Sequence, residues 1–175
     1  ALAAVCGGRV TVKNLNPDSV QGDRSFSDAL RSMGCTVTCP GNAVTVERTG
    51  DLRGITVDMS SSPDTVQTLC MVAAMATTPT TITGISHLKF KESDRITSTA
   101  ERLCALGGDV EVGHDWITIR PSPLHGAPIE PANDHRTAMS FAVLGMGIGG
   151  ITITHAECVN KSFPGFWDIL ERIQQ

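Results

Sequence analysis

Short runs in which β-branched and polar residues alternate recur along the chain. Alternation with a period of two is typical of half-buried strands, and these runs predict strands at 10–15, 42–48, 80–85 and 116–120. Between them, apolar residues spaced three and four apart predict helices. The predicted order is strand, helix, strand, strand, then helix and strand again, which indicates an α/β fold.

This order repeats with a period near 70 residues. Asp134 follows Asp64 by 70 positions, and Lys161 follows Lys91 by 70 positions at the start of a third, unfinished copy. Repeats of this length are single supersecondary units that stack on their neighbours. We therefore predict one domain over residues 1–175, with units at about 8–78 and 79–157 and a partial third at 158–175.

Composition narrows the classes of protein. With 175 residues, 41% hydrophobic and 18% charged, the chain can bury a core. Its net charge of -4 argues against a nucleic-acid or anionic-membrane surface. The longest weakly polar run, at 139–153, is short and broken by glycines, so we expect no membrane span.

The six cysteines contain no C-x-x-C pair, and a domain of this size needs no covalent crosslinks. We expect them to be small buried hydrophobic residues in a reducing compartment, and the protein to be cytoplasmic.

The predicted helices begin with polar stretches at 21–23, 62–64, 93–94, 133–134 and 161–164. Ser, Asn and Asp are capping residues, and Pro favours the first turn. Equivalent units of one handedness should place these helix starts at one end of the domain. Their free N–H groups would attract anions there.

Basic residues concentrate in the same stretches. The chain has only four lysines; Lys89 and Lys91 lie just before the stretch at 93–94, and Lys161 opens the stretch at 161–164. Lys91, Arg95, Arg136 and Lys161 would deepen an anion site. Alternatively, Lys91 and Arg95 could pair with Glu92, Asp94 and Asp23 on a solvated surface. Recurrence at equivalent positions of three units favours the anion site.

The stretches KFKESDRI, NDHRTAMSF and CVNKSFPGF resemble three signature stretches of the 5-enolpyruvylshikimate-3-phosphate synthases, in that order. VQGDRSF and SSPDT are similar to two more. The resemblance covers essentially all of the chain. It implies an inside-out α/β barrel-like domain built from βαβαββ units, two copies plus a partial third, with helix N-termini facing a cleft.

The resemblance also implies a reaction. The enolpyruvyl group of phosphoenolpyruvate passes to the 5-hydroxyl of shikimate 3-phosphate and phosphate is released, in aromatic amino acid biosynthesis, with no metal or organic cofactor. Glyphosate is the family's known competitor. Such chemistry needs a proton for the methylene carbon, a base for the hydroxyl and cations for carboxylate and phosphate.

By this resemblance, Asp64 matches the proton acceptor, Glu92 the carboxyl group that handles the enolpyruvyl proton, and Lys91 a lysine near the reacting hydroxyl. The other matches are substrate-binding residues: Arg95, Arg136 and Lys161 hold phosphoenolpyruvate, His135 lines the same pocket, and His87 stands where many relatives place an asparagine that contacts shikimate.

Each assignment has a structural alternative. Asp64 could be a helix cap, the role in which we expect Asp134 at the equivalent repeat position. Glu92 could be an ion-pair partner of Arg95, and His135 a structural histidine.

The match corresponds to the C-terminal part of the enzyme, well under half of it. Without the opposing wall water enters the site, so we expect weak anion binding and little turnover unless a complementary N-terminal domain is present. Two other hypotheses stay open. One is a noncatalytic anion-binding or assembly module; the other is a relative of UDP-N-acetylglucosamine enolpyruvyl transferase, which lacks the KESDR run.

Overall fold

The computed structural model describes residues 1–16, 19–91 and 93–174, and its α-helices and β-strands alternate along the chain. The helices are α1 (Leu2–Cys6), α2 (Ser25–Ser32), α3 (Val66–Ala73), α4 (Arg95–Ala105), α5 (His135–Ile148) and α6 (Phe166–Gln174). The strands are β1 (Gly8–Val12), β2 (Thr36–Thr38), β3 (Val44–Arg48), β4 (Thr56–Asp58), β5 (Thr80–Thr83), β6 (Asp109–Val112), β7 (Trp116–Arg120), β8 (Pro128–Ile129) and β9 (Thr152–Ile153).

The strands form three sheets. In the first, with strand order β1-β3-β2, all neighbours are antiparallel and Val46 of β3 lies opposite Val10 and Val37. In the second, with order β4-β5-β7-β6, β4 and β5 are parallel and the other neighbours antiparallel. The third pairs β8 with β9 in parallel. Parallel pairs need a crossover connection, and α3 and α5 supply those two.

Helices occupy the centre and sheets lie outside them. α3 contacts α1 and α5 and is apolar on nearly every face; seven of its eight residues are buried. A helix that is hydrophobic all round must be buried. By contrast, β7 alternates buried Ile117 and Ile119 with half-buried neighbours, as expected of a sheet with one face on the core. This arrangement confirms the predicted inside-out α/β fold.

The predicted strands are confirmed: β7 has the predicted bounds, β3 and β5 are shorter than their runs, and β1 begins two residues before its run and ends three residues earlier. β4 and β8 were not predicted, because strands of two or three residues carry no periodicity. The expectation for the cysteines was only partly correct. All six are free, but Cys6, Cys39 and Cys104 are exposed.

Within the described ranges, no helix is both long and apolar enough to cross a membrane.

Candidate anion-binding and acid–base site

The starts of α3, α4 and α5 meet at one end of the domain. Asp64 lies in the 3-10 turn Pro63–Thr65 that leads into α3, and Arg95 is the first residue of α4. Asp134 immediately precedes α5, and Arg136 is its second residue. These four side chains are in contact, and we refer to them as the arginine–carboxylate cluster.

Asp134 is the buried anchor of this cluster. Its Oδ1 accepts a hydrogen bond from the backbone N–H of Arg136 at 2.9 Å, which caps α5 as predicted. Its Oδ2 accepts from Arg95 Nε at 2.8 Å. The side chains of Asp134 and Arg95 are 0% and 2% exposed. A charge so deeply buried must be paired, and each of these two groups satisfies the other.

Asp64 is the outer carboxylate and links two arginines. Its Oδ2 accepts from an Nη of Arg136 at 2.9 Å and its Oδ1 from an Nη of Arg95 at 3.3 Å. The other Nη of Arg136 donates to the Asp64 carbonyl at 2.9 Å. The Asp64 and Arg136 side chains are 36% and 34% exposed. A ligand from solvent can therefore reach this pair.

The pKa values of Asp134, in the cluster, and of the adjacent His135 are both shifted by the surrounding charges. Burial raises the pKa of the Asp134 carboxyl, but the hydrogen bond and charge of Arg95 outweigh burial and hold that pKa below its ordinary value. The pKa of His135 is lowered by burial and by the nearby cations Arg136, Lys161 and Arg95, against the opposing effect of Asp134. A neutral His135 leaves the positive charge to the arginines and the lysine.

Lys161 joins the same end of the domain from the start of the third unit. Its Nζ donates to the backbone carbonyl of Asn133 at 3.0 Å, and its side chain is exposed. Ala132 and Asn133 both have left-handed backbones, with φ of 52° and 55°. Such conformations cost about 1–3 kcal/mol each and cluster at functional sites. They turn the Asn133 carbonyl towards Lys161.

A cavity of about 420 Å³ adjoins this lysine and is lined by Glu130, Asn133, His155, Glu157, Cys158 and Lys161. A second, mostly apolar cavity of about 670 Å³ lies between the first sheet and α2, away from the cluster. Lys161, a residue of the predicted site, forms part of the wall of the first cavity together with Asn133.

The start of α2 is tied to the start of α3. Ser25 and the buried Ser62 share a hydrogen bond of 2.6 Å between their hydroxyl groups. Gly22 packs closely against the segment that precedes α3. A Cβ at Gly22 would lie 1.7 Å from the Ser61 carbonyl oxygen. The starts of α2, α3, α4 and α5 thus lie side by side, and Lys161, the last residue of the 3-10 helix Ala156–Lys161, bonds to the segment before α5.

Two further predicted residues, Lys91 and His87, share no hydrogen bond or ion pair with the cluster among the described residues. Lys91 is exposed, and no hydrogen bond or ion pair joins it to the cluster in the part of the chain that the structure describes. His87 lies on the 3-10 helix Ser86–Phe90, and its buried Nε2 has no hydrogen-bond partner among the described residues. Glu92 lies outside the described residues.

The contacts of Asp64 and Arg95 bear on the structural alternatives considered for them. Among the described residues, Asp64 accepts no capping hydrogen bond from α3. Asp94 caps α4 through Thr97 N at 3.1 Å. Arg95 pairs with acids from two other helix starts, and the described residues show no ion pair between it and Asp94 or Asp23. Pairing of Arg95 with Asp94 or Asp23 is therefore not observed within these ranges, and its pairing with Glu92 stays a prediction.

Sequence reasoning missed the second role of Asp134 as the partner of Arg95. It also missed Gln67, a buried amide directly beneath the cluster. A signal for Gln67 was present, because it is a long polar residue inside the apolar run of α3. No group of three or more His, Cys, Asp or Glu side chains suited to a metal ion occurs within residues 1–16, 19–91 and 93–174.

Solved structures define the class of protein to which this fold belongs. EPSP synthase from Acinetobacter baumannii superposes with a TM-score of 0.82 and 30% identity, over 98% of this chain and 43% of that one. The enolpyruvyl transferase NikO from Streptomyces tendae superposes with a TM-score of 0.78 at 20% identity, over 98% of this chain and 40% of that one. The domain thus has the fold of the enolpyruvyl transferases.

Sequence comparison identifies the family. The model of the EPSP synthase (3-phosphoshikimate 1-carboxyvinyltransferase) family matches residues 1–170, so the chain belongs to this family. The chain is 70% identical to the 3-phosphoshikimate 1-carboxyvinyltransferase of Methanoregula boonei over 175 residues, and 64% identical to that of Methanoculleus marisnigri over 170. These alignments cover 100% and 97% of this chain, but only 42% and 40% of the relatives.

Proposed function

We propose that this chain forms the phosphoenolpyruvate side of an enolpyruvyl transferase that acts on shikimate 3-phosphate. The observation that carries the proposal is the accessible Asp64 carboxylate bridged by Arg95 and Arg136. A carboxylate between two guanidinium groups marks a place where cations can hold an anionic substrate beside a base. Membership of the EPSP synthase family favours shikimate 3-phosphate over a UDP-sugar as acceptor.

In the proposed reaction Asp64 accepts the proton of the 5-hydroxyl of shikimate 3-phosphate while the hydroxyl oxygen bonds to C2 of phosphoenolpyruvate. A proton adds to the methylene carbon at the same stage. Loss of a proton from that carbon and cleavage of the bond from C2 to the phosphate oxygen then restore the double bond. We assign the proton transfers at carbon to Glu92 and propose that Lys91 lies near the hydroxyl.

The substrate-binding roles follow from charge and position. Arg95 is preorganised because Asp134 holds its Nε, and one of its Nη atoms remains directed to the accessible Asp64. Arg136 and Lys161 add accessible positive charge. Neutral His135 is suited to hydrogen bonding, and we propose that His87 contacts the shikimate ring.

The observed ion pairs have a consequence for binding. Asp64 already accepts from both arginines, so a phosphate or carboxylate that binds them must compete with Asp64. This competition predicts weak binding by the chain alone, and we expect greater activity when a complementary N-terminal domain excludes water from the site.

The test has two parts. Phosphoenolpyruvate, and separately glyphosate, is titrated into the chain while amide shifts at Arg95, Arg136 and Lys161 are followed by NMR. Turnover is then measured after adding the N-terminal portion of a close relative, with Asp64→Ala and Glu92→Gln as inactive controls.

Shifts at the three residues and turnover that both variants abolish would support the transferase. Shifts without turnover in any reconstituted sample would instead favour a noncatalytic anion-binding module. The absence of shifts would contradict both.

A further inference from the structure

A layer of buried polar side chains lies directly beneath the arginine–carboxylate cluster. It consists of Gln67, Thr99 and Thr137, from α3, α4 and α5 respectively. Gln67 and Thr137 follow Asp64 and Asp134 by three positions, and Thr99 follows Arg95 by four. Since one helical turn takes 3.6 residues, the layer is one turn further along all three helices.

One amide connects the three helices. Gln67 Nε2 donates to Thr137 Oγ1 at 2.8 Å and to Thr99 Oγ1 at 3.3 Å, so both amide hydrogens are used. Gln67, Thr99 and Thr137 are 3%, 2% and 0% exposed. Solvent therefore does not compete for these bonds.

Hydrogen bonds constrain geometry in a way that apolar packing does not. Apolar contact is non-directional, whereas a hydrogen bond weakens when its donor or acceptor rotates or slides away. Threonine is also stiff about χ1, so its hydroxyl position reports the rotation of its helix. The two hydrogen bonds of Gln67 join three helices one turn below the cluster. They thus limit how far Arg95 and Arg136 can move relative to Asp64.

Stability alone does not explain this polar layer. Gln67 Oε1 is fully buried and has no hydrogen-bond partner among the described residues. An unsatisfied buried acceptor is unfavourable, and an apolar side chain of similar length would avoid it. A buried polar group that costs stability is better explained by what it positions.

We propose that Gln67 is a positioning residue that sets the separation of Arg95 and Arg136 at the anion site through Thr99 and Thr137. The identity of the anion rests on the proposed function, but the tie between the helices does not. Gln67 touches no reacting atom in this role; it acts through the helices that carry the arginines.

The variants separate hydrogen bonding from packing. Gln67→Met keeps length and removes the amide, while Thr99→Val and Thr137→Val keep shape and remove the hydroxyl. Thr99→Ser and Thr137→Ser keep the hydroxyl and lose only a methyl group. Thr68→Val is the matched control, because Thr68 and Ser140 share a hydrogen bond of 3.1 Å between the same helices, α3 and α5, outside the layer.

Three quantities are measured for every variant of the chain: the dissociation constant for phosphoenolpyruvate, the NMR signals of the Arg95 and Arg136 Nε–H groups, and urea unfolding. We expect Gln67→Met and both valine variants to bind about tenfold more weakly and to move the arginine signals, with Gln67→Met no less stable than the parent chain. The serine variants and Thr68→Val should bind within about twofold of it.

Unchanged arginine signals and binding in folded Gln67→Met would overturn the proposal, as would equal losses in the serine and valine variants. If the parent chain does not bind phosphoenolpyruvate, the proposed function fails. The arginine Nε–H signals then still decide whether Gln67 positions these side chains, because they are recorded without ligand.

Discussion

The starts of α3 and α5 place the same residue type at equivalent repeat positions in opposite environments. Asp134 is fully buried, caps α5 and holds Arg95. Asp64 is 36% exposed, caps no helix and accepts bonds from the ends of two arginines. The Asp134 carboxylate therefore has a structural role, whereas the Asp64 carboxylate remains accessible to a ligand.

This difference shows how a repeated fold can produce an asymmetric site. Arg95 occupies the space between the two acids, with its Nε towards Asp134 and one Nη towards Asp64. Burial makes the inner pair rigid, because neither charge can turn to water. The outer pair faces solvent and can exchange partners.

The largest expected effect is on stability after replacement of the inner acid. Asp134→Ala leaves Arg95 buried without its main partner and removes the cap of α5, so we expect a loss of about 3–5 kcal/mol in the free energy of unfolding. Urea denaturation measures this loss. Asp134→Asn, which retains a capping oxygen, should lose less; equal stability of all three proteins would remove the distinction between the two acids.

Replacement of the outer acid, Asp64, should strengthen the binding of phosphoenolpyruvate. Asp64→Asn removes the charge that competes for Arg95 and Arg136, and we expect phosphoenolpyruvate to bind the chain about tenfold more tightly, a change of about 1.4 kcal/mol. Turnover with the complementary portion should still be lost. Calorimetric titration measures the affinity, and weaker binding by this variant would show that Asp64 does not compete.

Acid should remove the contribution of the inner carboxylate, Asp134, to stability. The folded-state pKa of Asp134 is lowered, so its stabilising contribution is complete above its unfolded pKa of about 3.9 and is lost as the pH falls through the folded value. Between about pH 5 and pH 2, the free energy of unfolding measured with urea should fall less for Asp134→Asn than for the parent chain. Parallel curves would exclude Asp134 as the titrating group.

The outer groups should matter least for stability. Asp64→Asn breaks ion pairs that solvent reaches, and we expect a cost below about 1 kcal/mol. Lys161→Met removes one exposed bond and should change the free energy of unfolding by less than about 0.5 kcal/mol. Thermal unfolding of both variants beside Asp134→Ala would measure the contrast directly.

Local patterns predicted much of the fold. Alternation located the strands that include Val46, Ile82 and Ile117, and the 70-residue repeat predicted that several helix starts share one end. Both features depend on neighbours along the chain, so a single sequence contains them. The short strand β4 and the exposure of Cys6 depend on distant packing and were not predicted.

The candidate site divides in the same way. Residue types and repeat positions alone indicated that Lys91, Arg95, Arg136 and Lys161 belong together at helix starts, and Asp64 was assigned to the site by the family resemblance. Their partners came only from the tertiary structure: Arg95 lies between Asp64 and Asp134, and Gln67 beneath them. The physical reason is that charge and helix capping are local properties of the chain, whereas burial and directional bonds depend on which helices pack together.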